Sequence, residues 1–307
     1  MGAAFHYTLR FSERAPQPLG SEDPMRSLTK IFKPLAMFAL LLLAGLLPAC
    51  GGGQVTVWDA PSSSEAESAY REALAVMESG QYIEAMKQFN ELRLKFPFSS
   101  RWTTLAELRL ADIQLKQSRN ALAAESYRAF INSHPTHEEV PYAYYQIGLA
   151  YYDDMPSDIF LLPRPWQREL DSAEQAEGAL KRFVEAYPDS KYVEEAMPKL
   201  DEVRERLARH QLYVAEFYEK RGASRGAMNR LTGLLNDYET SPVHDQALFL
   251  LARTYMDLND FQSAAGILVV LTQRYPESDF AEDARVWLAE NNLSDAAPFD
   301  AFATPSN

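Results

Sequence analysis

The chain is short of cysteine and of positive charge, and each shortage excludes a class of function. Its 307 residues include a single cysteine, Cys50, which rules out an internal disulfide framework and a cysteine-based metal cluster. Asp and Glu number 43 against 30 Lys and Arg, for a formal net charge of −13. Nucleic acids and anionic membrane surfaces attract clustered positive charge, so we expect neither as a partner of the protein surface.

Patterns of catalysis and metal binding are also missing from the sequence. It has no glycine-rich phosphate loop, and its only cysteine is assigned below to a lipid anchor and is therefore not available for a catalytic Cys–His pair. His134 and His137 are spaced like a pair of metal ligands, but Pro135 between them places both in a turn. The sequence therefore predicts a protein that is not an enzyme and that has no cofactor and no metal site.

An apolar run at residues 35–47 indicates export. Its 13 residues fit the core of a secretory signal peptide, whereas a membrane-spanning helix needs about 20. Arg26, Lys30 and Lys33 form the basic approach that precedes such a core.

Leu47, Pro48, Ala49 and Cys50 close this run and resemble the lipobox of bacterial lipoproteins, which are cleaved just before the cysteine. The resemblance implies that Cys50 is the lipid-attachment residue. Each buried CH₂ of an acyl chain contributes about 0.8 kcal/mol, so several chains anchor a protein almost permanently. Position 51 is Gly and not Asp, and in this respect the chain resembles lipoproteins that are sent on to the outer membrane. The alternative, an ordinary buried thiol, is disfavoured because three glycines follow the cysteine.

Composition divides the chain into successive stretches. Residues 1–24 lack an apolar period, and we interpret them as an extension before a true start at Met25. The remaining stretches are a signal peptide at 25–49, a flexible tether at 50–64, N-terminal repeats at 65–154, an insertion at 155–170, C-terminal repeats at 171–294 and a tail at 295–307.

The stretch at residues 65–294 predicts helical repeats. Apolar residues recur at spacings of three and four, with almost no alternating β-branched runs. A tetratricopeptide-like template recurs five times, and a small residue of its second helix marks each copy: Ala85, Ala123, Ala176, Ala227 and Ala264. The predicted fold class is all-α, a superhelical solenoid of about five tetratricopeptide-like helix pairs with a C-terminal capping helix.

Two features interrupt this period. The insertion at residues 155–170 contains Trp166 and other apolar residues, so we expect it either to fold back on the solenoid or to bind a ligand. Residues 190–207 are additional helix, which predicts one long helix that runs to Lys220. Small residues such as Gly148 are expected where the two helices of a pair cross.

Aromatic residues are more numerous than helix pairing requires. A dense group lies in the third and fourth units: Tyr142, Tyr144, Tyr145, Tyr151, Tyr152, Tyr213, Phe217 and Tyr218. Most of these are expected in the core, and the remainder suit an extended or amphipathic peptide bound in the groove of a repeat array. The candidates for such a substrate groove are Tyr144, Tyr145 and Phe98.

A basic cluster in the fourth unit contrasts with the acidic chain. Lys220, Arg221, Arg225 and Arg230 lie close together in the sequence. They either balance neighbouring Asp and Glu or form a contact patch for a carboxylate of a partner, to which arginine makes forked hydrogen bonds. The candidate partner-binding residues are Arg221, Arg225, Arg230 and Tyr218.

Six short motifs together point to one known family. They are FPFS at 96–99, HPTH at 134–137, YPDSKY at 187–192, RLAR at 206–209, VAEFYEKRGA at 214–223 and NR at 229–230. The set resembles the BamD (ComL) family of lipoproteins, which belong to the assembly machine for outer-membrane β-barrels. The motif at 214–223 is its most specific part.

This resemblance implies a non-enzymatic scaffold that is lipid-anchored at the periplasmic face of the outer membrane of a Gram-negative bacterium. In the family, C-terminal repeats bind a POTRA domain of BamA, and N-terminal repeats receive unfolded outer-membrane β-barrel proteins. Other assembly lipoproteins are further candidate partners. Arg221 and Arg230 match basic residues of the family's partner-binding region, whereas Arg225 has no clear counterpart. Two alternatives of the same fold stay open, a periplasmic coordinator of cell-wall synthesis and a pilus or secretin assembly lipoprotein.

Overall fold

Eleven α-helices make up the part of the chain that the computed structural model describes, residues 63–98, 100–158 and 162–299. In chain order they are α1 (Ser63–Glu78), α2 (Tyr82–Lys95), α3 (Ser100–Lys116), α4 (Asn120–Ser133), α5 (Val140–Asp153), α6 (Asp171–Ala186), α7 (Val193–Lys220), α8 (Ser224–Asp237), α9 (His244–Asp257), α10 (Phe261–Arg274) and α11 (Asp279–Glu290). A turn of 3₁₀ helix, Pro165–Gln167, lies between α5 and α6. Cys50, the predicted signal peptide and the extension before it lie outside the described residues.

Each helix packs mainly against the helices before and after it in the chain. The result is five pairs, α1–α2, α3–α4, α5–α6, α7–α8 and α9–α10, followed by α11, which packs on α10. This order confirms the predicted all-α fold of five tetratricopeptide-like helix pairs with a C-terminal capping helix. The cap is needed because the last pair of a repeat array would otherwise leave apolar surface in water.

The alanines that mark the repeats lie in the core, as the repeat pattern predicts. Ala85, Ala123, Ala176, Ala227 and Ala264 have no exposed surface. A protein interior is close-packed, so a larger side chain at these positions would have to move a helix. The repeated alanine is therefore a packing signal.

Prolines follow four of the second helices at a constant distance. A proline lies two residues after the last residue of α2, α4, α6 and α10, and these prolines are Pro97, Pro135, Pro188 and Pro276. Glu239 occupies the same place after α8. Proline has no backbone N–H and cannot continue a helix, so it fixes where the chain turns toward the next pair.

The long helix expected to end at Lys220 is confirmed. α7 has 28 residues, twice the 14 of α8. Its N-terminal half contributes Leu200 and Val203 to a core shared with α6, and its C-terminal half contributes Leu212 and Ala215 to a core shared with α8, α9 and α10. One helix thus joins the third and fourth pairs.

Both ends of the helical region differ slightly from expectation. α1 begins at Ser63, two residues before the expected Glu65. Beyond α11, residues 293–299 turn back across α10, where the Phe299 N–H donates to the Gly266 carbonyl oxygen at 3.2 Å. Across the described residues, every helix is too short or too polar to span a lipid bilayer.

Candidate functional site

The C-terminal half of α7 presents a stripe that is both aromatic and basic. Tyr213, Phe217 and Arg221 follow one another at intervals of four residues, which places them on one face at the helix end. Tyr213 and Phe217 are 39% and 45% exposed. The Arg221 guanidinium lies over the Phe217 ring, 4.4 Å from its centroid, where a cation is attracted by the π face. The stripe therefore offers apolar area and positive charge at the same place.

Tyr218 has a different position from its neighbour Phe217. Its ring is half-buried between α7 and α8, and a Cβ at Gly226 would lie 3.1 Å from two ring atoms. The Tyr218 carbonyl oxygen accepts hydrogen bonds from the N–H groups of Arg221 and Ala223 at 3.1 and 2.9 Å. Of the two adjacent aromatic residues, Phe217 is thus the accessible one, while Tyr218 shapes the turn that positions Arg221.

Arg225 and Arg230 extend the positive surface onto α8. Both are exposed, and Arg230 donates to the side-chain oxygen of Gln211 on α7 at 3.1 Å. Within the described residues, no carboxylate lies within ion-pair distance of Arg221, Arg225 or Arg230. The interpretation in which neighbouring acids neutralise the cluster is therefore disfavoured. The surface formed by Tyr213, Phe217, Arg221, Arg225 and Arg230 is called the basic patch below.

Tyr145, predicted to line a substrate groove, belongs to the core instead. It is 3% exposed, and its ring stacks on Tyr192 at 5.3 Å between centroids with an angle of 14° between the planes. Its hydroxyl donates to Glu195 at 3.0 Å, and burial together with this bond raises the pKa of Tyr145. The groove prediction for Tyr145 is therefore wrong, because the start of α7 covers its ring and satisfies its hydroxyl.

Tyr144, the neighbouring candidate, lines a cleft of about 240 Å³ between α4, α5 and α6. Arg128 and Arg182 border this cleft, and Ile131 contributes to its apolar lining. The Arg128 guanidinium donates to the Tyr151 hydroxyl at 2.7 Å, which holds it in place. A carboxylate on an apolar segment matches this combination of guanidinium groups and apolar wall.

Phe98 is one of three strongly exposed apolar residues in and next to α2. It is 93% exposed in the link between α2 and α3, and both Ile83 and Leu94 of α2 are 83% exposed. Ile83 and Leu94 are eleven residues apart, close to three helical turns, so they share a face of α2. Sequence reasoning missed both, although they lie outside the stripe of Ala85 and Phe89 that the repeat template assigns to the core. These three residues form the first-pair surface.

The described part of the insertion folds back onto α7. The Arg206 guanidinium donates to the Pro156 carbonyl oxygen at 2.7 Å, and His210 Nδ1 lies 2.7 Å from the Trp166 carbonyl oxygen. The Arg209 guanidinium stacks over the Trp166 ring at 5.3 Å. Of the two expectations for the insertion, folding back is the one observed at these residues.

A buried polar network joins four helices of the first three pairs. Asp112 is buried, accepts hydrogen bonds from the hydroxyls of Tyr127 at 2.6 Å and Tyr142 at 3.0 Å, and forms an ion pair with Arg109. Arg109 also donates to the Tyr70 hydroxyl at 3.2 Å. Burial, and secondarily the charge of Asp112, raises the pKa values of Tyr127 and Tyr142, so both stay protonated donors. The network holds α1, α3, α4 and α5 in one arrangement.

The histidine pair between α4 and α5 has structural partners. His134 Nε2 lies 3.0 Å from a Glu107 carboxylate oxygen, and His137 Nδ1 accepts the Glu139 N–H at 3.1 Å. The Phe130 ring packs against both imidazoles. Among the described residues, no group of three or more His, Cys, Asp or Glu side chains is placed to hold a metal ion.

A family model described as an outer-membrane lipoprotein, YfiO, matches residues 62–265. This span is more than half of the chain and includes the first-pair surface, the cleft at Tyr144 and the whole basic patch. The match extends from the start of α1 into the first turn of α10, so it does not rest on a single motif.

Two relatives have similar sequences over most of their length. The outer membrane protein assembly factor BamD of Xylella fastidiosa (strain Temecula1) is 28% identical over 251 residues, which cover 80% of this chain and 84% of the relative. The protein of the same name from Neisseria gonorrhoeae is 29% identical over 220 residues, which cover 71% of this chain and 82% of the relative.

Among solved structures, a thermophilic TPR protein from Thermus thermophilus is similar to this chain, with 19% sequence identity and a TM-score of 0.30. The alignment covers 74% of this chain and 99% of that protein.

Proposed function

The chain belongs to the YfiO family of outer-membrane lipoproteins, and on that premise we propose that it is a non-enzymatic assembly factor for outer-membrane β-barrel proteins. The relatives from Xylella fastidiosa and Neisseria gonorrhoeae bear the name of such a factor. In this proposal Cys50 carries the lipid anchor, which holds the protein at the periplasmic face of the outer membrane.

The basic patch is the surface that binds a POTRA domain of BamA. The observation that carries this assignment is Arg221, which stacks on the exposed ring of Phe217 and has no carboxylate partner among the described residues. An arginine held by an aromatic ring is already ordered before binding, so less side-chain entropy is lost when it pairs with a carboxylate. Exposed aromatic and arginine side chains together are the composition of interface hot spots.

Charge reversal in the basic patch tests this assignment. The Arg221→Glu and Arg230→Glu proteins should lose BamA in a pull-down from detergent-solubilised membranes, and Phe217→Ala should weaken the complex at least about tenfold. Lys87→Glu on α2 is the matched control, because it reverses an exposed positive charge far along the chain from the patch. Retention of the intact BamA complex by Arg230→Glu would refute the assignment.

The first-pair surface and the cleft at Tyr144 receive unfolded β-barrel segments. Ile83, Leu94 and Phe98 are each at least 83% exposed, and apolar side chains left in water are available for contact with an apolar segment. Arg128 and Arg182 at the Tyr144 cleft supply positive charge for carboxylates of the bound segment. The first-pair surface lies on α2 and its link to α3, and the cleft lies between α4, α5 and α6, so a segment that contacts both must be extended.

Crosslinking tests this second assignment separately. A photoreactive residue placed at Phe98 or Ile83 should crosslink to an unfolded β-barrel protein, and Leu94→Ser should reduce the yield. The same photoreactive residue at Val286 of α11, which is also exposed, provides the background level. Equal yields at positions 98 and 286 would exclude the first-pair surface as the receiving site.

Purification distinguishes this function from the two alternatives with the same fold. Affinity-purified protein should contain BamA and an N-terminal peptide that begins at acylated Cys50, both detectable by mass spectrometry. Co-purification of peptidoglycan enzymes would favour a coordinator of cell-wall synthesis. Co-purification of a secretin would favour a pilus or secretin assembly lipoprotein.

A further inference from the structure

α10 is buried on all its sides. Eight successive residues, from Ala264 to Leu271, are buried, whereas α8 buries four of its 14 residues. A helix that is apolar all round needs cover on every side. α9 and α11 cover two sides, and residues 293–299 pack against the same core.

The path of residues 293–299 is set at the end of α11. Asn292 has a φ of 55°, a left-handed conformation that ends the helix, and the Leu293 N–H returns to the Leu288 carbonyl oxygen at 2.9 Å. From there Leu293, Ala296 and Phe299 are half-buried, while the residues between them are exposed. One side of the segment thus faces the fifth helix pair.

Gly266 allows this segment to approach α10 closely. The Phe299 N–H donates to the Gly266 carbonyl oxygen, and a Cβ at Gly266 would lie 2.9 Å from the Ala297 carbonyl oxygen. Glycine inside a helix destabilises it by about 1 kcal/mol relative to alanine. At position 266 this loss is offset because the missing side chain lets the tail approach the helix backbone. The Phe299 ring packs on Tyr255 of α9, with 5.9 Å between the centroids.

We propose that the surface formed by Tyr255 and Gly266, called the tail site, binds an extended apolar segment with an aromatic side chain, and that residues 293–299 occupy it as an intramolecular ligand. Its elements are a main-chain acceptor, a glycine that admits a backbone and an aromatic wall for one ring. A segment of the same chemistry from a partner competes with the tail. The proposal does not depend on the BamA or substrate assignments.

Two further exposed apolar side chains lie between Tyr255 and Gly266 in the chain. Leu258 and Phe261, in the link and first turn between α9 and α10, are 39% and 49% exposed. They join the same two helices that carry Tyr255 and Gly266. A partner segment that covers Leu258 and Phe261 in addition to the tail site buries more apolar area, which favours exchange with residues 293–299.

Binding of the tail sequence in trans tests the proposal on the full chain. The probe is a fluorescein-labelled peptide with the sequence of residues 292–299, and its affinity is measured by anisotropy. The wild-type chain should bind it weakly because its own tail competes. Phe299→Ala weakens that competitor, so this chain should bind the peptide at least about tenfold more tightly. A peptide with alanine in place of its phenylalanine should not bind.

A glycine substitution distinguishes the tail site from nonspecific apolar binding. Phe299→Ala combined with Gly266→Ala should lose most of the gained affinity, because the new Cβ occupies the space of the peptide backbone. Gly233→Ala on α8 is the matched control, since a Cβ there meets nothing within 4 Å. Equal peptide affinity in the wild-type and Phe299→Ala chains would overturn the proposal. Failure of Phe299→Ala to fold would also overturn it, because the tail would then be a permanent part of the core.

Discussion

Gly148 of α5 lies so close to Leu180 of α6 that a side chain at position 148 has no room. A Cβ built on Gly148 would lie 2.8 Å from Leu180 Cγ and 3.5 Å from the Leu180 backbone nitrogen. Leu180 itself is fully buried. The crossing of α5 and α6, next to the cleft at Tyr144, is therefore set by the absence of a single methyl group.

Gly148→Ala should destabilise the protein although alanine is the better helix former. Overpacking a buried crossing costs about 1–3 kcal/mol, against a gain of about 1 kcal/mol in helix propensity. Gly178→Ala on α6 is the matched control, because a Cβ there meets nothing within 4 Å and should give the propensity gain alone. Urea unfolding should place the Gly148→Ala midpoint below that of Gly178→Ala. Equal midpoints would mean that Leu180 moves aside without cost.

Asp112→Ala should be among the most destabilising single changes in the N-terminal repeats. It leaves the half-buried Arg109 without its ion-pair partner and two tyrosine hydroxyls without their acceptor, a loss of about 3–5 kcal/mol in the free energy of unfolding. Glu67→Ala removes an exposed ion pair with Arg71 and should change stability by less than about 1 kcal/mol. Chemical denaturation of both variants measures the difference, and similar values would show that water replaces the Asp112 carboxylate.

Acid should weaken the fourth and fifth pairs through His244. This residue is buried, its Nε2 lies 3.3 Å from the Leu235 carbonyl oxygen, and its Nδ1 lies 2.9 Å from the Tyr275 hydroxyl. Burial first, and then the positive charge of Arg274, lowers the pKa of His244, against smaller opposing effects that include Glu239 and Asp245. A lowered pKa means that the unfolded chain binds the proton more readily, so stability is lost as the pH falls below about 6.5.

His244→Gln should flatten this pH dependence, because glutamine also offers a donor and an acceptor but does not titrate. As the pH is lowered from about 7.5 to about 5, the melting temperature should fall for the wild-type chain and fall less for the variant. A slope that is unchanged in His244→Gln would assign the acid sensitivity to other groups.

The insertion should become accessible to proteases when its contact with α7 is removed. Arg206→Ala deletes the hydrogen bond to the Pro156 carbonyl oxygen, and loops that lose such a bond open more often. Limited proteolysis should therefore cut residues 155–170 several-fold faster than in the wild-type chain. Arg204→Ala on the same helix removes an ion pair with Glu177 of α6 and should leave the cleavage rate of the insertion unchanged.

The repeat architecture could be predicted from the sequence because its signals are local and recur. The buried alanines and closing prolines, such as Ala123 and Pro135, each report on one pair without knowledge of the others. The length of α7 could be predicted for the same reason, since helical spacing simply continues to Lys220. Agreement among repeated weak signals made the fold prediction reliable.

The site residues depended on contacts that no local pattern encodes. Tyr144 and Tyr145 are adjacent and differ by about 100° around α5. Tyr145 is buried by residues that come much later in the chain, Phe183 of α6 and Tyr192 and Glu195 at the start of α7. In the sequence Asp112 looks like an ordinary exposed helix carboxylate. Its role becomes visible only in the fold, where Tyr127 and Tyr142 of two other helices donate hydrogen bonds to it. In the sequence Gly266 indicates only a residue that destabilises its helix. The fold shows that the missing side chain makes room for the backbone of Ala297 and Phe299.

The length of α7 has an angular consequence. Arg206 and His210 fasten the insertion to this helix, and Phe217 and Arg221 of the basic patch lie eleven residues further along it. In an α-helix each residue adds a rotation of about 100° and a rise of about 1.5 Å. The residues that contact the insertion and those of the patch are thus about 16 Å apart along the α7 axis, and they lie on nearly the same face of the helix. Losing one residue between them would turn the patch by about a quarter of a circle, so this segment has a fixed length for a geometric reason.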